Sequence, residues 1–453
     1  MMQNPDSAVF YRNLANRPPT ILRGEGVWLH DSDGRRYLDA VGGAAVVAIG
    51  HGVAEITEDL ARQAAEIPYV YGASFTHRWQ EELASRLIGK APPNMRAAYI
   101  VSGGSEANET AIKMARQYFL HEGQPQRHKI LSRRQGYHGI TIATLSISGR
   151  TSWRQPFDPY LIHSRHVAPP YCYRCPFGKE PAGCGMACAD DLETAILLEG
   201  PETVAAFFME PVSGTSLAAN VPPEGYLERV REICDRYGVL LVADEVLCGY
   251  GRTGAPFAIM HSGVEADLLT CGKAVGSGYT PLAAVLASDR VVDAFRRGGG
   301  EFTHGFTYSG HPLSCHVGVK VFDYMERHDL WERAAATGDL LHARLADLAG
   351  RHACIGEVRG RGMLAGIEFV ADRASKRPFP TSVRFAERVV AAARRRGVLL
   401  LAGTPGVNHG RDGDQIQISP PYVMSEAELD LLVETLDAAI GEAVEEVIPA
   451  LTR

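Results

Sequence analysis

Apolar and polar positions change their period several times along this chain. On both sides of Asp33-Gly34 apolar residues alternate with polar ones, from Val27-Trp28-Leu29 to Tyr37-Leu38. A period of two interrupted by Asp-Gly predicts a β-hairpin. Over residues 54–65 the spacing turns helical. Between residues 66 and 320, apolar runs rich in β-branched residues alternate with amphipathic stretches. The runs at 97–101, 203–209, 239–243 and 282–287 are examples. Strands alternating with helices predict a mainly parallel sheet covered on both faces. Beyond residue 321, helices mix with shorter strands at 363–369 and 415–418, which predicts a smaller α+β domain. The expected division is a large domain over 66–320 and a small domain over 321–453. The segment 1–65 joins the small domain, because chain ends often meet.

Size and charge narrow the function classes. A chain of 453 residues, 45% hydrophobic and 22% charged, is an ordinary globular composition with room for a large core. The net charge of −7 comes with no concentrated basic patch, which argues against a nucleic-acid-binding protein. No apolar run is long enough to span a bilayer. The opening Met1-Met2-Gln3-Asn4-Pro5-Asp6 lacks the basic and apolar regions of a signal peptide. The expectation is a cytoplasmic protein whose nine cysteines stay reduced.

Candidate chemistry starts from Lys273. Of 46 Lys and Arg only seven are lysines, and this one stands in Thr270-Cys271-Gly272-Lys273-Ala274-Val275-Gly276-Ser277-Gly278, with no charged neighbour. Desolvation in such a setting lowers an amine's pKa and makes it nucleophilic, which suits Schiff-base chemistry. The run Ser102-Gly103-Gly104-Ser105-Glu106 follows a strand and opens a helix. Its glycines and free N–H groups suit a phosphate, or it is a plain turn with Ser105 as N-cap. At Asp244-Glu245 a buried strand ends in two acids, at the edge where open α/β sheets bind ligands. Asp244 can pair with a protonated ring nitrogen, and Val246, two residues on, can pack on a flat ring. Tyr137 in Gly136-Tyr137-His138-Gly139 can stack on a heteroaromatic ring. The hydroxyl-rich loop 302–312 can hold a phosphate. Gly249-Tyr250-Gly251-Arg252-Thr253-Gly254 matches a dinucleotide pattern but lacks the helix that must follow it. Cys172, Cys175, Cys184 and Cys188 have the spacing C-x2-C-x8-C-x3-C, open to a zinc site, reduced thiols or loop bridges.

In family order, these motifs resemble the class III, or ω-, aminotransferases, which use pyridoxal 5′-phosphate (PLP). The resemblance rests on the G-S-E-A-N-E run from Gly104 and on Tyr137-His138-Gly139. It continues through Glu210-Pro211, Asp244-Glu245-Val246 with the glycines up to Gly254, the lysine motif Gly272 to Leu282, and His304 to Pro312. It implies fold type I and a homodimer, with a tetramer as the alternative, whose active sites lie at the interface. Lys273 would form the internal aldimine and shuttle the proton between Cα and the cofactor's C4′. Asp244 would keep the pyridine nitrogen protonated, with Glu210 in the polar network beside it. Tyr137 and Val246 would cover the two ring faces. Gly104 and Ser105 would bind the phosphate, joined by Thr307 from the other subunit. No metal is implied.

The implied reaction moves an amino group from a primary or ω-amine to an oxoacid such as pyruvate. The alternative is a PLP-dependent lyase on the same scaffold, releasing ammonia or phosphate. A zinc-bearing binding protein without catalysis is disfavoured by the intact cofactor motifs. Arg411, before the strand leading to Pro420-Pro421, is the candidate carboxylate clamp or else a surface arginine. The small residues Gly42 to Val47 suggest a roomy amine pocket, and Tyr69, Tyr71 and Phe75 are either its aromatic walls or core.

Overall fold

The computed structural model describes residues 7–451, so the opening Met1 to Asp6 lies outside the described residues. Its centre is a seven-stranded sheet in the order Met95–Val101, Ala283–Ser288, Leu268–Cys271, Leu240–Asp244, Val204–Met209, Lys129–Arg133, Arg165–Val167. From Arg165–Val167 across to Leu268–Cys271 every pairing is parallel. Ala283–Ser288 is the exception, antiparallel to both neighbours. The cause is chain length. Residues 272–282 form a single 3₁₀ turn and a loop, too short for the crossover that a parallel return requires.

The central strands are mostly apolar because both of their faces are covered. All six residues of Val204–Met209 are buried. Along Leu240–Asp244, Leu241 and Ala243 enter one hydrophobic cluster while Leu240 and Val242 enter another. That is the alternation of side chains across a pleated strand. Helix Tyr226–Tyr237 supplies Val230, Ile233 and Cys234 to the first cluster, and helix Gly104–His121 supplies Ala107, Ala111 and Met114 to the second.

Two smaller sheets hold the chain ends. Strands Trp28–Asp31 and Arg36–Asp39 form the antiparallel hairpin around Asp33-Gly34. Val398–Leu399 then pairs parallel to Arg36–Asp39, tying the last third of the chain to the first residues. A five-stranded sheet comprises Ile355–Arg361, Leu364–Asp372, Asp414–Ile418 and Leu401–Ala402, with Arg377–Pro378 beside Leu364–Asp372. Among the described residues no helix is long and apolar enough to cross a membrane.

Candidate active site

The carboxyl ends of the central strands open into a cavity of about 570 Å³. Asp244, the last residue of its strand, is buried at its floor, and Glu245 beside it is buried too. Each oxygen of Asp244 is held. The Asn108 amide donates to Oδ2 at 2.8 Å and the His138 ring, through Nδ1, at 2.7 Å. The Val246 N–H donates to Oδ1 at 3.1 Å. Thr270 fixes the Asn108 orientation by donating its hydroxyl to Oδ1 of that amide at 3.0 Å. Burial alone pushes the Asp244 carboxyl up, but His138, Val246 and Asn108 outweigh it and hold the carboxyl below its usual range. Asp244 is therefore an anion at neutral pH. Because it only accepts, His138 carries its proton on Nδ1.

Glu245 does different work. Its oxygens accept from the Ala258 and Ile259 N–H groups, each at 2.7 Å, so it caps a 3₁₀ turn and faces away from the cavity chemistry. Burial raises its pKa to about 7. Glu210 is also buried and its carboxyl is pushed up by burial, against His138 and Arg133. Its Oε1 accepts from the Gly214 N–H at 3.3 Å, while Oε2 and the buried His138 Nε2 have no hydrogen-bond partner among the described residues.

Lys273 opens the 3₁₀ turn after Leu268–Cys271, with a left-handed φ of 48°. A non-glycine residue there stores backbone strain, which is common at ligand sites. Burial lowers its pKa from the usual 10.5, with Asp244 pulling the other way. The amine is thus easier to deprotonate than a surface lysine and faces an anion across the cavity.

The walls are narrow. Gly104 packs so closely on Val246 that an added Cβ would lie 2.7 Å from its Cγ1. Helix Gly104–His121 starts with Gly103 as N-cap and no side-chain cap, so Ser105 stands inside the first turn rather than at the cap. The first intrahelical bond is from the Ala107 N–H, which leaves the N–H groups before it available to an anion. Ser105 Oγ accepts from the Ile140 N–H at 3.1 Å, which ties that helix start to the Tyr137 loop. Tyr137 also lines the cavity, edge-on to Trp153 with ring centroids 5.7 Å apart.

Lys273, Asp244, Glu210, Val246, Tyr137, Gly104 and Ser105 thus line one cavity, with Ala44 and Val46 beside them. The other candidates lie elsewhere. Thr307 is exposed and outside this cavity, with its carbonyl accepting from the Tyr69 hydroxyl at 3.0 Å. Tyr69, Tyr71 and Phe75 are 40%, 56% and 66% exposed, so they are neither core nor walls of this chain's cavity. Arg411 is exposed at the tip of a loop closed by the Asn408–Asp412 bridge. Thr381 donates to its carbonyl at 2.6 Å, and its guanidinium does not line the cavity. The glycine run 249–254 leads to no helix. Its Arg252 is buried as a strut, donating to the Met363 and Pro420 carbonyls.

The four clustered cysteines are unbridged and line a separate cavity of about 20 Å³. Among the described residues no group of three or more His, Cys, Asp or Glu is arranged to hold a metal ion. Burial and the neighbouring Cys172 raise the Cys188 pKa to about 11, which keeps that thiol protonated.

Sequence reasoning missed Asn108, His138 and Thr270 as partners of Asp244. The first two stand within the quoted motifs, but nothing local says what they touch. It also missed Arg150, which lines the cavity beside Tyr137.

Comparison with known proteins agrees with this geometry. The sequence pattern of the family described as aminotransferase class-III matches residues 10–440. The chain is 38% identical to a diaminobutyrate–2-oxoglutarate transaminase of Halomonas elongata, over 96% of this chain and 91% of that one. It is 35% identical to a putrescine–pyruvate aminotransferase of Pseudomonas aeruginosa, over 93% and 91%. The solved ω-transaminase of Pseudomonas jessenii in complex with PMP superposes with a TM-score of 0.89 at 34% identity, over 95% of this chain and 94% of that one.

Proposed function

The chain belongs to the class III aminotransferases, PLP-dependent enzymes of fold type I, and on that premise we propose that it moves an amino group from a primary or ω-amine to an oxoacid such as pyruvate. The observation that carries this reading is one cavity holding an uncharged-prone amine, Lys273, and a fixed carboxylate, Asp244.

The donor set fits the cofactor. Free N–H groups at Gly104 and Ser105 suit its phosphate, Asp244 its ring nitrogen, and the side chains of Tyr137 and Val246, which line the same cavity, a flat ring. The unpartnered Glu210 Oε2 and His138 Nε2 leave polar atoms for a bound group or water to meet. When bound, PLP supplies an electron sink that acidifies the substrate Cα–H. Asp244 would hold the ring nitrogen in its protonated form, and His138 and Asn108 keep Asp244 ionised. Lys273 would hold the cofactor through its Nζ and serve as the base and acid for the substrate Cα proton.

The proposal extends to assembly and location. The exposed aromatics Tyr69, Tyr71, Phe75 and Tyr308 suit burial against a second copy, with Thr307 completing the phosphate site of the other subunit. The unbridged cysteines suit a reducing cytoplasm. The division into a PLP domain over 66–320 and a small domain from both chain ends belongs to the same proposal.

One observation favours the alternative lyase: Arg411 stands outside the cavity, and a lyase needs no oxoacid clamp. A coupled assay separates the two. With an amine and pyruvate, a transaminase forms alanine in a 1:1 ratio to amine consumed. A lyase releases ammonia or phosphate catalytically without pyruvate. Sedimentation at low micromolar protein tests the dimer, and a monomer with full activity contradicts it.

A further inference from the structure

The cavity contains a cation that none of the cofactor roles uses. Arg150 lines it beside Tyr137, half-buried, yet among the described residues it makes no salt bridge and its Nε is buried without a hydrogen-bond partner. What holds it is aromatic. The Arg150 guanidinium lies 4.2 Å from the Trp153 ring centroid and 5.5 Å from that of Tyr137. Arg12 approaches the same Trp153 ring at 5.2 Å, adding a second positive charge at the mouth. Burial lowers the Arg150 pKa to about 10, with Tyr137 and Glu210 only partly opposing it. The group is still charged at neutral pH. A desolvated arginine without an anion is costly, and its planar fork matches a carboxylate.

We propose that Arg150, stacked on Trp153, is the cation that receives the substrate's carboxylate. The observation that left Arg411 outside the cavity leaves that task open, and Arg150 stands where Arg411 does not. The free N–H groups at Gly104 and Ser105 already suit the cofactor's phosphate without Arg150. The consequence is a preference for donors that carry an acid group over bare amines. This inference rests on the transaminase reading.

The test is the half-reaction of the PLP-loaded protein, followed by its spectrum without oxoacid, using L-alanine and 4-aminobutyrate against ethylamine and 1-aminopropane, their decarboxylated counterparts. Arg150→Met should slow the acids that the native protein accepts roughly 10–100-fold, the worth of a charge-assisted hydrogen bond, and leave the bare amines within about twofold. Arg150→Lys, which keeps charge but loses the fork, should recover part of the loss. Binding of valerate, which cannot react, should weaken at least tenfold in Arg150→Met, while PLP affinity stays unchanged. Equal losses for acids and bare amines, or weaker PLP binding, would overturn the inference and make Arg150 structural. So would a native protein that converts only bare amines, or an acid preference removed by Arg411→Ala instead. If no amine converts the cofactor in the native protein, the transaminase reading itself fails.

Discussion

The floor and the mouth of the cavity are built on opposite principles. At the floor, Asp244 has both oxygens held, Oδ2 by Asn108 and His138 and Oδ1 by the Val246 N–H. At the mouth, Arg150 and Arg12 rest on aromatic faces with no salt bridge among the described residues, while Thr307 and Arg411 are exposed outside the cavity. The floor is finished within one chain and prepares one chemistry. The mouth is left incomplete, and its missing groups belong to the substrate and, on the reading proposed here, to a second subunit.

Substitutions can break or sharpen that contrast. The largest effect should come from Lys273→Ala, which should bring turnover below detection while leaving a folded protein of unchanged size in sedimentation. Multiple turnovers without added small amine would show that the floor is not the reaction centre. Asp244→Asn should keep PLP bound, as read by absorbance, and lower kcat by roughly 10²–10³-fold, because a neutral partner no longer holds the ring nitrogen protonated. Gly104→Ala places a Cβ against Val246, 2.7 Å from its Cγ1. It should cost about 1–3 kcal/mol in chemical denaturation and weaken PLP binding, without shifting the preference between amines. Tyr137→Ala should be mildest at the floor, removing about 0.5–1.5 kcal/mol of ring stacking and raising the PLP Kd by a few-fold to about tenfold. A change in amine preference from any of these floor variants, rather than from Arg150, would blur the distinction.

Sequence made the floor readable because its residues fall at strand ends. The run at 239–243 announced the strand Leu240–Asp244, and the apolar-to-acid switch marked its functional edge. Direction was harder. The run at 282–287 is as apolar as its neighbours, so only the short connection from Lys273 reveals that its strand turns back. Partners were harder still. His138 and Asn108 meet Asp244 across 106 and 136 residues, and no local pattern encodes such a meeting. The substrate side was harder for a different reason. Arg411 read equally as a carboxylate clamp or a surface arginine, and its loop is closed on itself by the Asn408–Asp412 bridge and by Thr381. Arg150 belongs to no motif and is recognised only by burial without an anion. Tyr69, Tyr71 and Phe75 read in sequence as either pocket walls or core, yet they are exposed on the single chain.

The central claim is that Lys273 and Asp244 form a transamination centre. The most direct test is the visible spectrum of the PLP-loaded protein during titration with an amine in the absence of oxoacid. The account predicts that the band of lysine-bound PLP is replaced stoichiometrically by that of the pyridoxamine form and returns on adding pyruvate. A band that persists while ammonia or phosphate is released catalytically would contradict it, as would a protein that never develops the band with PLP.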